Sequence, residues 1–302
     1  MSIIKNMIKG VASWIGKRNP ELITRIRYRM RFHRRLDLEN PSTLNEKIQY
    51  MSLRTDTTQW SRLADKYAVR EYVSDCGLES ILNRLYGVWD DASDIDFDSL
   101  PDKFILKTTN GSGYCIIVED KNAIDREQIK DSLRKMLKTV YGLSEGNPHY
   151  SRIKPRVIAE ELLLNDPVSA KYSQSIIDYK VWCFNGKACF IWVCTDRTHA
   201  GTDVLVYDTQ WNAHPEYSRV TDYYRQGSPI PKPENFEYML SVAEKLASPF
   251  PVVRVDLYNI AGRVLFGELT FTAVGGLMNC YTDAFLKMTG DMIRLPGRSV
   301  EN

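Results

Sequence analysis

Residues 252–276 read VVRVDLYNIAGRVLFGELTFTAVGG, and an isolated carboxylate sits inside each of the two apolar runs. Asp256 follows Val252, Val253 and Val255, Glu268 follows Val264, Leu265, Phe266 and Gly267, and the turn formers Asn259, Ala261 and Gly262 lie between them. Two β-rich runs around such a turn predict a hairpin. Counting across the turn brings the carboxylates close on adjacent strands, where a hard cation such as magnesium finds its preferred oxygen ligands. A buried carboxylate needs a charged partner or a metal. The opposite orientation puts Asp256 and Glu268 on the solvent face of an edge hairpin, and the segment alone leaves both open.

A second segment supplies what a metal there would serve. Residues 103–120, KFILKTTNGSGYCIIVED, hold an apolar run ending at Lys107, a polar loop with Gly111, Ser112 and Gly113, and a second β-rich run over 115–118. Glycines let backbone N–H groups approach phosphate oxygens, and a lysine at the loop entrance can neutralise them. Because the loop joins two strands, it matches neither the Walker pattern nor the dinucleotide fingerprint, each of which opens a helix. A plain hairpin turn is the alternative for the same residues.

With 302 residues, 43% apolar and 26% charged, the chain can build two or three packed subdomains. Cys76, Cys115, Cys183, Cys189, Cys194 and Cys280 form no C-x-x-C pair and read as reduced thiols of a cytoplasmic protein. His33, His149, His199 and His214 have no zinc spacing. The net charge of +2 conceals ten Lys or Arg against three acidic residues in positions 1–40. The densest part, RIRYRMRFHRR over 25–35, suits an anionic membrane surface or an anionic or lipid-linked glycan, or forms a solvated helix face. No nucleic-acid-binding motif accompanies it. The first sixteen residues read as neither a signal peptide nor a membrane span. Ile3, Ile4, Met7, Ile8, Val11 and Trp14 fall along one helix face and suit a peripheral membrane contact.

Helical signals fill the first ninety residues, with Ser42 or Thr43 and Glu46 as a capping box and a helix over 63–76 that ends at Gly77. On that helix Asp65, Lys66 and Arg70 share one side. The acidic stretch 90–102 reads as a linker, giving a helical basic region over 1–100, a small lobe with the glycine loop over 101–164, and a lobe with the metal hairpin over 165–302. Further elements are a helix over 126–141, a mobile connection over 142–155, a buried strand and hinge over 157–164, and a hairpin over 178–197 turning at Asn185-Gly186. A strand over 203–212 and a helix over 233–247 follow. The class is α+β, dominated by antiparallel pairs.

Taken in order, LNEKIQ, LADKYAVREYV, KFILKTTNGSG, DYKVWCFNGK and FGELTFT resemble the ATP-grasp superfamily, in its TupA-like branch, which is named for teichuronopeptide synthesis and recurs among bacterial cell-surface polysaccharide genes. The resemblance implies two α+β lobes around a nucleotide cleft, with ATP and Mg2+ as cofactors. It implies Lys66 and Lys107 on the phosphates, and Asn110, Gly111, Ser112, Gly113 and Tyr114 as a loop closing over the γ-phosphate. Lys66 as a surface lysine in a helical charge network is the alternative. Glu160, Glu161, Leu162 and Leu163 match the hinge, where Glu161 and Leu163 meet adenine through backbone groups. Asp178 and Lys180 match ribose and phosphate contacts, or form a solvent-facing pair. Arg254, Asp256 and Glu268 match the catalytic arginine and the metal carboxylates. Thr270 stands where many relatives have Asn, and Gly275 and Gly276 turn near the acceptor.

The activity so implied is ATP-dependent ligation of a carboxylate, from a uronic acid or an amino acid, to an amine through an acyl phosphate. The lack of a Ser/His/Asp or Cys/His constellation agrees with it, since positioned charge suffices. A phosphotransferase acting on a glycan, or a non-catalytic nucleotide-binding scaffold, are the other readings.

Overall fold

Two sheets face each other, and their strands follow the alternation seen in the sequence. A computed structural model describes residues 2–111, 113 and 115–296, with side chains from residue 7 onward. Ser112, Tyr114 and the side chains of Ile3 and Ile4, all named above, lie outside the described residues.

The smaller sheet has the order β1–β4–β2–β3, from β1 (Leu85–Trp89), β2 (Phe104–Thr108), β3 (Cys115–Val118) and β4 (Val157–Glu160), with every pair antiparallel. Along β2, Phe104, Leu106 and Thr108 are buried while Ile105 and Lys107 are half-buried. A strand period of two therefore sends Lys107 to the face opposite the core. Helix α6 (Arg126–Leu137) covers the core face with Ile129 and Leu133.

Two expectations fail here. Residues 90–102 are not a linker, because Ala92, Ile95, Phe97 and Leu100 are buried in the core of the small sheet. The boundary expected at 101 falls inside that sheet, since β1 precedes it and pairs with β4.

The larger sheet has the order β10–β9–β5–β6–β7–β8, from β5 (Asp178–Phe184), β6 (Lys187–Thr198), β7 (Gly201–Asp208), β8 (Tyr224–Gln226), β9 (Val252–Ile260) and β10 (Arg263–Thr270); only β7 and β8 run parallel. Asn185 and Gly186 have φ of 50° and 76°, and Ala261 and Gly262 have 48° and 78°. Both tight turns thus place two residues in the left-handed region, as a type I′ hairpin requires. Helix α7 (Phe236–Ala247) packs Met239, Val242, Ala243 and Leu246 into the core on this sheet.

One irregularity determines the site. The pairing shifts between Phe266, opposite Leu257, and Glu268, opposite Asp256, so β10 carries a bulge at Gly267. A Cβ on Gly267 would stand 2.9 Å from the Asp256 carbonyl oxygen, which only glycine avoids. Without the extra residue Glu268 would oppose Val255 and point to the other face. The bulge puts both carboxylates on one face.

The N-terminal helices are not a separate region. In α3 (Leu44–Arg54), α4 (Thr58–Ala64) and α5 (Val69–Asp75), the residues Leu44, Ile48, Met51, Trp60, Leu63, Val69 and Val73 belong to the core of the large sheet. Each fully buried aliphatic contributes about 1.5–3 kcal/mol relative to exposure, which ties these helices to the sheet. Thr43 and Glu46 form the expected capping box. The helix expected over 63–76 breaks at Asp65, whose carboxylate accepts the N–H groups of Tyr67 and Ala68 at 2.8 and 3.1 Å. Lys66 therefore sits in a turn and not on a helix face with Asp65 and Arg70. Helices α1 (Ser2–Arg18) and α2 (Pro20–Phe32) precede α3, and Tyr28 of α2 joins Leu36, Leu38 and Leu277 in a small core of its own.

The connection expected to be mobile over 142–155 is packed. Ser144, Asn147 and His149 are buried, and the His149 ring stands edge-on to Trp60 at 5.6 Å. Other boundaries shift: α6 stops at Leu137, β4 at Glu160 and β7 at Asp208, and α7 begins at Phe236. Among the described residues no helix is long and apolar enough to cross a membrane.

Candidate active site

Between the sheets lies a cleft of about 1060 Å³. Its floor is a row of residues in register across four strands: Glu268 on β10 opposes Asp256 on β9, which opposes Lys180 on β5, which opposes Trp192 on β6. Two residues along each strand, Thr270, Arg254 and Trp182 form the next row on the same face.

The floor charges form a chain. Asp256 is 2% exposed. Its Oδ2 accepts Lys180 Nζ at 2.6 Å and Arg254 Nη2 at 2.7 Å, while Oδ1 accepts Arg254 Nε at 2.6 Å. Asp178, also buried, lies 3.5 Å from Lys180 Nζ and is closely paired with Arg197. Burial alone would raise the Asp256 carboxyl, but the charges of Arg254 and Lys180 outweigh it and hold the group below its ordinary value. Burial likewise works against the charge on Lys180, and Asp178 with Asp256 overcomes it, so this ammonium is held above its usual value. The solvent-facing alternatives for Asp256 and for the Asp178 and Lys180 pair are excluded by this burial.

Glu268 is different. Its side chain is 37% exposed, with Arg254 at 3.9 Å and the Thr270 hydroxyl donating to Oε1 at 3.3 Å. Asp256, Glu268 and Thr270 present hard oxygens side by side, a donor set that fits magnesium, which is bound through one or two carboxylates together with substrate phosphates. No three His, Cys, Asp or Glu side chains converge among the described residues.

From the small sheet, Lys107 Nζ pairs with Glu160 Oε2 at 2.9 Å, and Arg70 Nη1 reaches Glu160 Oε1 at 3.2 Å. Arg70 also donates to the Asn83 carbonyl at 2.8 Å. Lys66 Nζ donates to the Gly111 carbonyl. Burial pulls the Lys66 ammonium below its usual value, against the opposing pull of Glu268.

Eleven of the expected site residues line this cleft: Lys66, Lys107, Gly113, Glu160, Asp178, Lys180, Arg254, Asp256, Glu268, Thr270 and Gly275. Asn110, Gly111, Glu161, Leu162 and Leu163 are not among its lining residues. Asn110 is buried and donates to the Thr139 carbonyl at 3.1 Å. The backbone contact expected from Glu161 is used within the fold: its N–H donates to the Arg84 carbonyl and its carbonyl accepts the Asn83 amide, each at 2.9 Å. Glu160, expected at the hinge, is instead the shared partner of Lys107 and Arg70. Asp178 is likewise an anchor for two cations.

Several lining residues carried no functional expectation, among them Arg70, Arg197, Tyr150, Trp192, Asn147 and Thr272. Arg197 was not within reach of hairpin counting, because the residue across the Asn185-Gly186 turn from Asp178 is Cys194. The arginines of the basic segment 25–35 are not laid out as one patch. Arg25 pairs with Glu21 at 2.8 Å and Arg34 approaches Asp283 at 3.9 Å, whereas Arg27 and Arg31 line the cleft itself.

Residues 46–294 match the TupA-like ATP-grasp family. Solved structures similar to this chain include D-alanine–D-alanine ligase from Bacillus anthracis, at 16% identity over 76% of this chain and 65% of that one, with a TM-score of 0.43. The corresponding ligase from Helicobacter pylori is 17% identical over 77% of this chain and 61% of that one, with a TM-score of 0.42. The ATP-grasp ligase PsnB, complexed with a minimal precursor, is 12% identical over 78% of this chain and 61% of that one, also with a TM-score of 0.42. The chain thus spans less than two thirds of the length of each. No curated protein matches the sequence.

Proposed function

The chain belongs to the TupA-like ATP-grasp family, and from its cleft we propose an ATP-dependent carboxylate–amine ligase that works with magnesium. The observation that carries this proposal is the facing of two charge arrays, with Asp256, Glu268, Lys180 and Arg254 on the floor and Lys66, Arg70 and Lys107 opposite. Closely set hard oxygens beside clustered cations complement a metal-bound polyphosphate.

Lys107 and Lys66 supply point charges for phosphate oxygens once they exchange their present partners, the Glu160 carboxylate and the Gly111 carbonyl. Arg254, braced by Asp256, is aimed to balance charge that develops on the transferring phosphoryl group. Asp256, Glu268 and Thr270 would hold magnesium, which supplies further neutralisation of phosphate oxygens. In the proposed reaction a substrate carboxylate oxygen attacks the γ-phosphorus, the bond to ADP breaks, and an acyl phosphate forms. An amine then attacks the acyl carbon, the carbon–oxygen bond breaks with release of inorganic phosphate, and the amine proton passes to solvent. Alignment and charge balance suffice for both steps.

The family resemblance supports substrates from cell-surface polysaccharide synthesis, with uronic acids or amino acids as carboxylate donors. The test is ADP release from Mg-ATP against panels of uronic acids, amino acids and amino sugars, with product masses measured. Ligation yields free phosphate and a condensed product. Phosphate retained on a hydroxyl acceptor would replace ligation by phosphotransfer, and absence of both nucleotide binding and turnover would leave only a scaffold.

A peripheral membrane contact belongs to the same proposal. Met7, Ile8, Val11 and Trp14 on α1 are 59–66% exposed, and Leu22, Ile26 and Met30 form a second exposed stripe on α2. Apolar stripes beside basic residues suit an anionic lipid surface. Sedimentation with phosphatidylglycerol vesicles should fall on Val11→Ser with Trp14→Ser; unchanged sedimentation would remove the membrane from the proposal.

A further inference from the structure

One end of the cleft contains features to which the proposed nucleotide binding assigns no role. Helix α2 is held against residues 142–147: Arg27 Nη1 donates to the Ser144 carbonyl at 3.1 Å, and a Cβ on Gly146 would fall 2.0 Å from Thr24 Oγ1. This contact fixes Arg27 at the cleft wall, with its Nε buried and without a hydrogen-bond partner among the described residues. Arg31 lies one helical turn further on the same side, and its guanidinium makes no ion pair or hydrogen bond with a described residue. Two guanidiniums one turn apart can grip a single carboxylate or phosphate.

Across from them are unmet acceptors. Asn147 is 2% exposed and Thr272 is 3% exposed, and both line the cleft. The Asn147 Oδ1 and the Thr272 hydroxyl have no partner among the described residues. Buried polar atoms left unpaired are rare in native proteins, and each calls for an explanation such as a functional role or a partner that is water or an ion. Glu145, which accepts the Ser144 hydroxyl at 2.6 Å, lines the same end. The wall between is the turn Ala273–Gly276, where Val274 takes a φ of 51° while 40% exposed. A β-branched residue there is strained, a state that persists mainly at functional sites. The Gly275 carbonyl is held by Gln49 Nε2 of α3 at 2.8 Å.

We propose that this end of the cleft is the acceptor subsite and takes an anionic amino sugar, with Arg27 and Arg31 clamping its carboxylate or phosphate and Asn147, Thr272 and Glu145 accepting its hydroxyl and amine protons. The assignment rests on the ligase function proposed above. It also gives α2 a role inside the cleft, where Thr272 continues the lining run of Glu268 and Thr270 past Arg254.

The test measures binding of glucuronic acid, glucose 6-phosphate and glucose, as unreactive amine-free analogues of the acceptor, to the full chain without nucleotide, with Mg-ATP titrated separately. The wild type should bind one or both anionic sugars at least about tenfold more tightly than glucose. Arg27→Ala with Arg31→Ala should abolish that preference and leave ATP affinity within about twofold. Arg31→Ala alone changes an exposed side chain with no ion pair or hydrogen bond among the described residues, so it should keep the fold and lose part of the preference. Thr272→Val should weaken all sugars that bind, charged or neutral, alike. Equal affinity for glucose and the anionic sugars, no binding of either anionic sugar, or an unaltered preference in the double variant would overturn the proposal. Failure of the wild type to bind Mg-ATP would sink the ligase function instead, whatever the sugar result.

Discussion

The floor of the cleft carries its charges as one alternating chain, Arg197, Asp178, Lys180, Asp256 and Arg254, on three neighbouring strands. The opposite wall gathers Arg70, Lys107 and Glu160 from a helix and two strands, with Lys66 on a turn. On the floor the carboxylates of Asp178 and Asp256 serve three cations, with Glu268 3.9 Å from Arg254, and every side chain of the alternating chain except Arg197 is at most 13% exposed. On the wall one carboxylate serves two cations, and the third cation has only a carbonyl. Lys107 there is 23% exposed. A buried, register-fixed chain resists rearrangement, whereas a wall with surplus positive charge and looser pairs has capacity to take an anion. Under the proposed ligase function, the difference would give preorganisation to the floor and nucleotide capture to the wall.

Asp256→Asn should break the floor most severely. It leaves Lys180 and Arg254 with an uncompensated buried charge, so unfolding free energy should fall by about 3–5 kcal/mol, and turnover by orders of magnitude. Glu268→Gln sharpens the contrast, because this side chain is 37% exposed and lightly paired. Its turnover should fall by about 10²-fold or more, with stability changed by less than about 1 kcal/mol. Urea unfolding and ADP release measure both. Equal urea midpoints for wild type and Asp256→Asn would show that the floor is not the rigid wall.

Acid should affect the floor in a defined window. The folded Asp256 carboxyl is held below its ordinary value, so the unfolded chain binds the proton more readily. Its contribution is present above the unfolded value near 4 and is lost as pH falls through the lower folded value. His149, buried beside the floor, acts at higher pH. Burial lowers its ring to about 3, so it is neutral in the fold and charges on unfolding as pH drops below about 6.5. Stability should therefore decline from about pH 6.5 toward pH 3, by up to about 1.4 kcal/mol per unit, and His149→Phe should flatten that limb. A wild-type stability that is flat between pH 7 and 5 would contradict the buried neutral ring.

The floor was legible in the sequence because its message is local. Val252 to Glu268 announces two strands, a turn and two carboxylates within seventeen residues, and hairpin counting brings the pair together. The bulge at Gly267 that turns Glu268 to the right face was not legible, since it depends on the close approach of the Asp256 carbonyl. Lys107 was legible from the alternation of β2, but its partner Glu160 was not, because that pairing needs β4 beside β2. Arg27, Arg31 and Asn147 show the limit most clearly. They come from segments more than a hundred residues apart, brought together by the packing of α2 on 142–147, and no spacing within either segment reports it.

The smallest effect expected is on the wall, at Lys107. Its ammonium faces the place proposed for phosphate in the ground state and in the transition state alike, so removing it should lower nucleotide affinity together with rate. A charge-assisted contact of this kind is worth about 1.5–3 kcal/mol, or roughly ten- to a hundredfold in the dissociation constant for ATP. Loss of the ammonium leaves Glu160 still paired with Arg70 at 3.2 Å, so stability should change by less than about 1 kcal/mol, unlike the change at Asp256. Calorimetric titration of Mg-ATP into Lys107→Ala, beside its urea midpoint, separates the two walls. Unchanged affinity with reduced stability would make Lys107 a structural partner of Glu160 and would move nucleotide capture away from this wall.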